Sequence, residues 1–127
     1  MAKQTAAFTG VGPGLNYADG EVFAYSGPVS STDSATPIQT LNYTTGSKSL
    51  FCVFEFFDVS LAAYERVFKI TLNGNTIVQT NYDGSEPSFP YDGRYHVIIP
   101  PRSVIEVLAN INGASVNMFV TMTGKVL

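Results

Sequence analysis

The stretch Phe68-Lys69-Ile70-Thr71-Leu72-Asn73-Gly74-Asn75-Thr76-Ile77-Val78-Gln79 decides the fold class of this chain. β-Branched and aromatic residues fill two short runs. Between them stands Asn-Gly, which accepts positive φ at both central positions of a type I′ turn. The stretch therefore reads as a tight antiparallel hairpin with strands over 66–72 and 75–81.

Outward from this hairpin the same pattern of short apolar or alternating runs and turn residues repeats. Toward the N-terminus the expected strands are 49–58, 37–45 around Leu41 and Tyr43, and 20–25. The first of these holds Leu50-Phe51-Cys52-Val53-Phe54, the strongest aromatic segment, and is expected to be central. Toward the C-terminus they are 95–99, a break at Pro100-Pro101, then 103–109 and 114–123. In the last two, alternation separates Val104, Glu106 and Leu108 from Ile105, Val107 and Ala109, and Met118, Val120 and Met122 from Phe119, Thr121 and Thr123. Helical periodicity is absent from every long window, so the chain reads as all-β.

Eight antiparallel strands in about 110 residues is the size of a jelly roll built from two Greek keys. The expectation is an eight-stranded antiparallel jelly-roll β-sandwich over residues 19–127. An immunoglobulin-like sandwich is the main competitor; the lack of Trp and of a second Cys excludes only its disulfide-bearing kind. Residues 1–18 hold Gly10-Val11-Gly12-Pro13-Gly14-Leu15 and read as an extended N-terminal arm, docked on a neighbour or loose. Residues 82–94, with two Pro and two Asp-Gly pairs, read as a long structured loop of the kind that carries function.

Composition limits what such a domain does. The 127 residues are 45% hydrophobic, enough for one core without metals or disulfides. Charged residues are only 13%, about half the usual share, beside nine Phe and seven Tyr. A surface this neutral does little to keep copies apart, so some aromatics are expected at subunit or partner interfaces, although the core is the default place for any one Phe. Net charge is −3 and Lys and Arg occur singly, which argues against nucleic acid as a partner. The opening Met1-Ala2-Lys3-Gln4-Thr5-Ala6-Ala7-Phe8 lacks the look of a secretory signal and no run is long enough to span a bilayer, so assembly in a host cytoplasm is expected, with no membrane partner.

Enzyme chemistry is tested by inventory. With one His and one Cys, the chain lacks the parts of a nucleophilic triad, a zinc site or a cupin-like metal centre. Cys52 sits in an apolar run and is expected to be buried and inert, with no disulfide partner in the chain. Glu55 and Asp58 are three apart in one strand and so point to opposite faces, which prevents a paired-carboxylate site. Asp83, Glu86 and Asp92 could offer oxygen ligands to Ca²⁺, but two Asp-Gly turns and a solvated Glu are the simpler reading. The glycines at 10–14 lack the Lys-Ser/Thr ending of a phosphate loop, and Asn42-Tyr43-Thr44 matches a glycosylation sequon by chance. No enzymatic activity and no cofactor are expected.

Phe68-Lys69-Ile70-Thr71-Leu72-Asn73-Gly74-Asn75, followed by a loop and Ile98-Ile99-Pro100-Pro101-Arg102-Ser103-Val104-Ile105-Glu106-Val107, resembles small jelly-roll virion proteins of tailed bacteriophages. These include capsid decoration (cement) proteins and related head-fibre modules, and the resemblance covers about residues 50–123. It implies a homotrimer on the outer capsid that contacts the major capsid protein and stabilises the shell; it carries no residue's role with it. The candidate contacts are Phe8, Leu15 and Tyr17 on the arm and Phe89, Tyr91 and Arg94 on the loop, because Gly/Pro-rich segments cannot bury such side chains in a sheet. Packing of each segment back onto its own domain is the alternative. Two rival functions are a receptor- or glycan-binding head of a phage fibre and a trimeric ligand of the tumour-necrosis-factor-like or complement-like kind.

Overall fold

The computed structural model describes residues 12–32, 36–58, 65–82, 94–112 and 115–127. The described residues hold ten strands and no helix: β1 (Gly12–Ala18), β2 (Glu21–Tyr25), β3 (Val29–Ser30), β4 (Ile38–Thr44), β5 (Leu50–Asp58), β6 (Glu65–Leu72), β7 (Asn75–Tyr82), β8 (Arg94–Ile99), β9 (Val104–Asn112) and β10 (Asn117–Val126). Every one of the eight expected strands is present, as β2 and β4 to β10. The Asn73-Gly74 turn has φ of 51° and 85°, the double positive value that type I′ geometry requires.

The pairing is nested. β6 pairs β7, β5 pairs β8, β4 pairs β9 and β2 pairs β10, all antiparallel. One long hairpin, closed at Asn73-Gly74, thus folds over on itself and splits its strands between two sheets, β1-β2-β10-β5-β8 and β4-β9-β6-β7. That arrangement is a jelly roll. The aromatic strand β5 lies inside its sheet, between β10 and β8.

The structure differs from the sequence reading at β1 and β3. Asp19 and Gly20, with φ of 50° and 83°, form a second turn of the Asn-Gly type that sets Ala18 opposite Glu21 and lays β1 along β2. Residues 12–18 of the expected arm are therefore an edge strand of the sandwich; residues 1–11 lie outside the described residues. Glycine and proline lower strand propensity there, but an irregularity in register between Gly12 and Asn16 accommodates them, and Leu15 and Tyr17 gain contact with the core. β3 continues the path of β2 along β10. Ser26 and Ser31 secure that crossing by accepting the Val120 and Val116 amides on their hydroxyls at 2.9 and 3.0 Å. Of the expected loop, Tyr82 ends β7 and Arg94 begins β8, while 83–93 lie outside the described residues.

The core lies between the sheets and follows the period of two. Cys52, Phe54 and Phe56 point inward from β5, against Phe68 and Ile70 of β6 and Ile105 and Val107 of β9. Phe56 and Phe68 stack across the sandwich at 5.5 Å, and Tyr95 stacks on Phe68 at 5.0 Å. Each such buried side chain contributes about 1.5–3 kcal/mol. Arg66 is in phase with Phe68 and Ile70 and is only 1% exposed, a buried cation at the end of the apolar row. Beside it in sequence pairing, Asn110 on β9 clamps the backbone of Thr32, accepting its amide and donating to its carbonyl, both at 3.0 Å.

Candidate interaction face

The outward residues of the six-stranded sheet follow from its register. On β5 they are Phe51, Val53, Glu55 and Phe57, and on β10 Phe119, Thr121, Thr123 and Lys125. Cross-strand pairing sets them in rows. Phe119 faces Phe57; Tyr25, Thr121, Glu55 and Arg94 form the next row; Phe23, Thr123, Val53 and His96 the next; Glu21, Lys125, Phe51 and Ile98 the last. A sheet face that meets solvent ordinarily alternates to polar residues. This one instead exposes Phe51 by 38%, Phe57 by 48% and Ile98 by 63%.

The rings are organised. Phe57 stacks on Phe119 at 5.2 Å and Phe23 on Tyr25 at 5.0 Å, while Phe51 lies 6.0 Å from the His96 ring. Between the Phe23–Tyr25 ridge and Phe51 runs a shallow trough of about 500 Å³, floored by Thr123 and Gly124. Gly124 stands opposite inward-facing Cys52, and a Cβ there would collide with the Phe51 carbonyl and the Cys52 side chain, so the close approach of β10 to β5 requires glycine. The charges of the face come in two couples. Arg94 Nε lies 3.5 Å from Glu55 Oε2, and Lys125 sits opposite Glu21 in the β10–β2 register. The first is solvent-exposed and contributes little to stability, so its effect is to leave the face neutral.

Three of the sequence-derived contact residues, Phe8, Phe89 and Tyr91, lie outside the described residues. Leu15 and Tyr17 sit on β1 half-buried against their own core, which is the alternative weighed for them. Burial raises the Tyr17 hydroxyl above its usual range, partly offset by a hydrogen bond with the Gly46 backbone. Arg94 is exposed and belongs to the rim of the aromatic face. Phe23, Phe51, Phe57 and Phe119 were not singled out from sequence. The alternation of Phe51 with Cys52 and Phe54 carries the signal, since a strand that buries one set must present the other.

Of Cys52, Tyr43 and His96, the first two belong to the core and the third to the outer sheet face. Cys52 is fully buried and its thiol is pushed up to about 12 by desolvation. His96 is exposed on the outer sheet face beside Phe51 and opposite Val53. Among the described residues no group of three His, Cys, Asp or Glu side chains is gathered to hold a metal ion. Tyr43, deep in the core, is raised far above the usual tyrosine range by burial, and its hydroxyl has no hydrogen-bond partner among the described residues.

Fold and face together define a jelly-roll β-sandwich with an exposed, neutral, aromatic sheet surface. No protein-family model and no curated relative matches the sequence. Among solved structures the chain is similar to the insecticidal delta-endotoxin Cry8Ea1 from Bacillus thuringiensis, at 12% identity and a TM-score of 0.43 over 79% of this chain and 19% of that one. It is also similar to the VP2 subviral particle of infectious bursal disease virus, at 15% identity and a TM-score of 0.44 over 85% of this chain and 33% of that one. The chain thus spans about a fifth and a third of the length of these two structures.

Proposed function

We propose that this chain is a structural virion protein: a capsid decoration (cement) protein of a tailed bacteriophage that binds the major capsid protein as a homo-oligomer on the outer shell. The observation that carries the reading is the outer face of the six-stranded sheet, where stacked aromatics are held in water by a rigid scaffold. Such a surface is made for association, since aromatic residues are enriched and charges depleted at interface centres. The work is adhesion, with no substrate transformed and no cofactor required. Many copies, each bridging neighbouring capsid subunits, add modest contacts through effective concentration.

Sedimentation tests this. Purified chain mixed with emptied heads of the phage that encodes it is expected to pellet with them, saturating at a fixed ratio to the major capsid protein. Chain left in the supernatant at every ratio contradicts the proposal.

A second reading, a glycan-binding fibre head, is favoured by one observation. The outer side of the other sheet carries a groove of about 300 Å³ whose lining includes Gln79, Asn81, Asn112, Lys69 and Glu65. Side-chain amides suit sugar hydroxyls because each offers both a donor and an acceptor. Selective binding on a glycan array, abolished by Gln79→Ala, would favour this reading over the first.

A further inference from the structure

We infer that the outer face of β2, β10, β5 and β8 pairs with the same face of a second copy of this chain, sheet against sheet. The inference rests on the association reading above and names the occupant of its surface. The face holds copies together, and the remaining surfaces are left to meet the capsid.

Charge points to a copy of self. The whole chain carries −3, yet this face carries Glu21, Lys125, Glu55 and Arg94, which sum to zero. The couples stand at diagonally opposite corners: Glu55 with Arg94 at the β5–β8 side, Glu21 with Lys125 at the β2–β10 side, four residues apart along β5 and β10. Turned over about an axis along either diagonal of the face, each corner meets an acid–base couple, its own or the other. An isologous contact demands this self-complementarity. A basic or acidic partner would gain nothing from it.

Area and relief agree. Strands about 4.8 Å apart and residues about 3.4 Å apart give the rows from Phe57 to Phe51 across four strands a projected face of roughly 20 by 20 Å, on the order of 400–450 Å². Side-chain relief raises the accessible area above this projection, so two copies reach the ~1,000 Å² that a specific interface needs. The Phe23–Tyr25 ridge and the trough over Thr123 and Gly124 lie side by side, giving the face the relief that interlocking side chains need. Two sheets packed this way would sit about 10 Å apart, as inside a sandwich. Such a contact gives an even number of copies, where the family resemblance implies three.

Sedimentation equilibrium of the full chain tests the inference. The wild type is expected to form a dimer or a larger even-numbered assembly. Thr123→Lys, at the exposed centre of the face, is expected to raise the dissociation constant at least about tenfold. Ile98→Lys, at its rim, should act in the same direction. Asn42→Lys, exposed on β4 of the other sheet, should leave association unchanged, and circular dichroism melts should show all three variants folded. A monomeric or trimeric wild type, a Thr123→Lys variant that associates like the wild type, or equal weakening by Asn42→Lys overturns the inference. A wild type that sediments with capsids yet does not self-associate sinks this inference alone, whereas a wild type that self-associates yet stays out of the capsid pellet sinks the function proposed above.

Discussion

Thr45 and Ser103 exchange hydrogen bonds: the Thr45 amide donates to the Ser103 carbonyl at 2.9 Å, and the Ser103 amide donates to Thr45 Oγ1 at 2.8 Å. The same hydroxyl donates to the Pro100 carbonyl at 2.9 Å. Thr45 follows β4 of one sheet and leads into β5 of the other, and Ser103 stands between β8 and β9 in the same way. One threonine therefore ties the two crossings at this end of the sandwich. Thr45→Val keeps the shape and strands the buried Ser103 N–H, so a loss of about 1–3 kcal/mol in urea unfolding is expected. Thr44→Val, exposed one residue earlier, should stay within about 0.5 kcal/mol.

Tyr43 offers the opposite sign. Its ring belongs to the core while its hydroxyl is buried without a partner among the described residues. Removing a polar atom that gave up water for nothing should help. Tyr43→Phe is expected to raise unfolding stability by about 1 kcal/mol. A loss of that size in chemical denaturation would show that the hydroxyl is bonded after all.

Alkaline pH should destabilise the fold through the same region. Cys52 has its thiol pushed up to about 12 from an ordinary 9.0, and Tyr43 is raised above 10.0 by burial first and by Cys52 second. In the unfolded chain these groups lose protons from their ordinary values upward, while the folded chain keeps them. The unfolded state then binds fewer protons, so stability is whole below about pH 9 and falls as pH rises through about 12. Urea midpoints should decline across that window. In Cys52→Ala the decline should begin later, above about pH 10, where tyrosine takes over.

Arg66 is the largest fully buried side chain among the described residues. Truncating it leaves a cavity at the end of the apolar row. Arg66→Ala is expected to cost about 2–5 kcal/mol, measured by thermal or urea unfolding. Lys69→Ala, three residues on and facing outward, should cost no more than about 0.5 kcal/mol.

Local chemistry made most of the strands legible. Asn73-Gly74 marks a turn by itself, Pro100-Pro101 ends a strand by itself, and the alternation of β9 and β10 states which residues face the core. The order of strands across the sheets was not legible residue by residue, because β2 beside β10 is a pairing of residues about a hundred apart and depends on the whole chain. β1 escaped notice because Gly12, Pro13 and Gly14 outweighed a turn, Asp19-Gly20, that carries the same physical signal as Asn73-Gly74. The interaction face was half legible. Alternation places Phe51 and Phe57 opposite Cys52 and Phe54, but the register that brings Phe119 beside Phe57 and Ile98 beside Phe51 exists only in the folded sheet. Arg66 shows the limit of reading charge from sequence, since its phase with Phe68 outweighed its hydrophilicity.

The central claim, association through the outer face of the six-stranded sheet, is tested most directly by hydroxyl-radical footprinting of the wild-type chain over a concentration series. Oxidation of Phe51, Phe57 and His96 is expected to fall together as concentration rises, while Ile77, exposed on β7 of the other sheet, keeps a constant rate. Phe51, Phe57 and His96 reacting equally at every concentration would contradict the account.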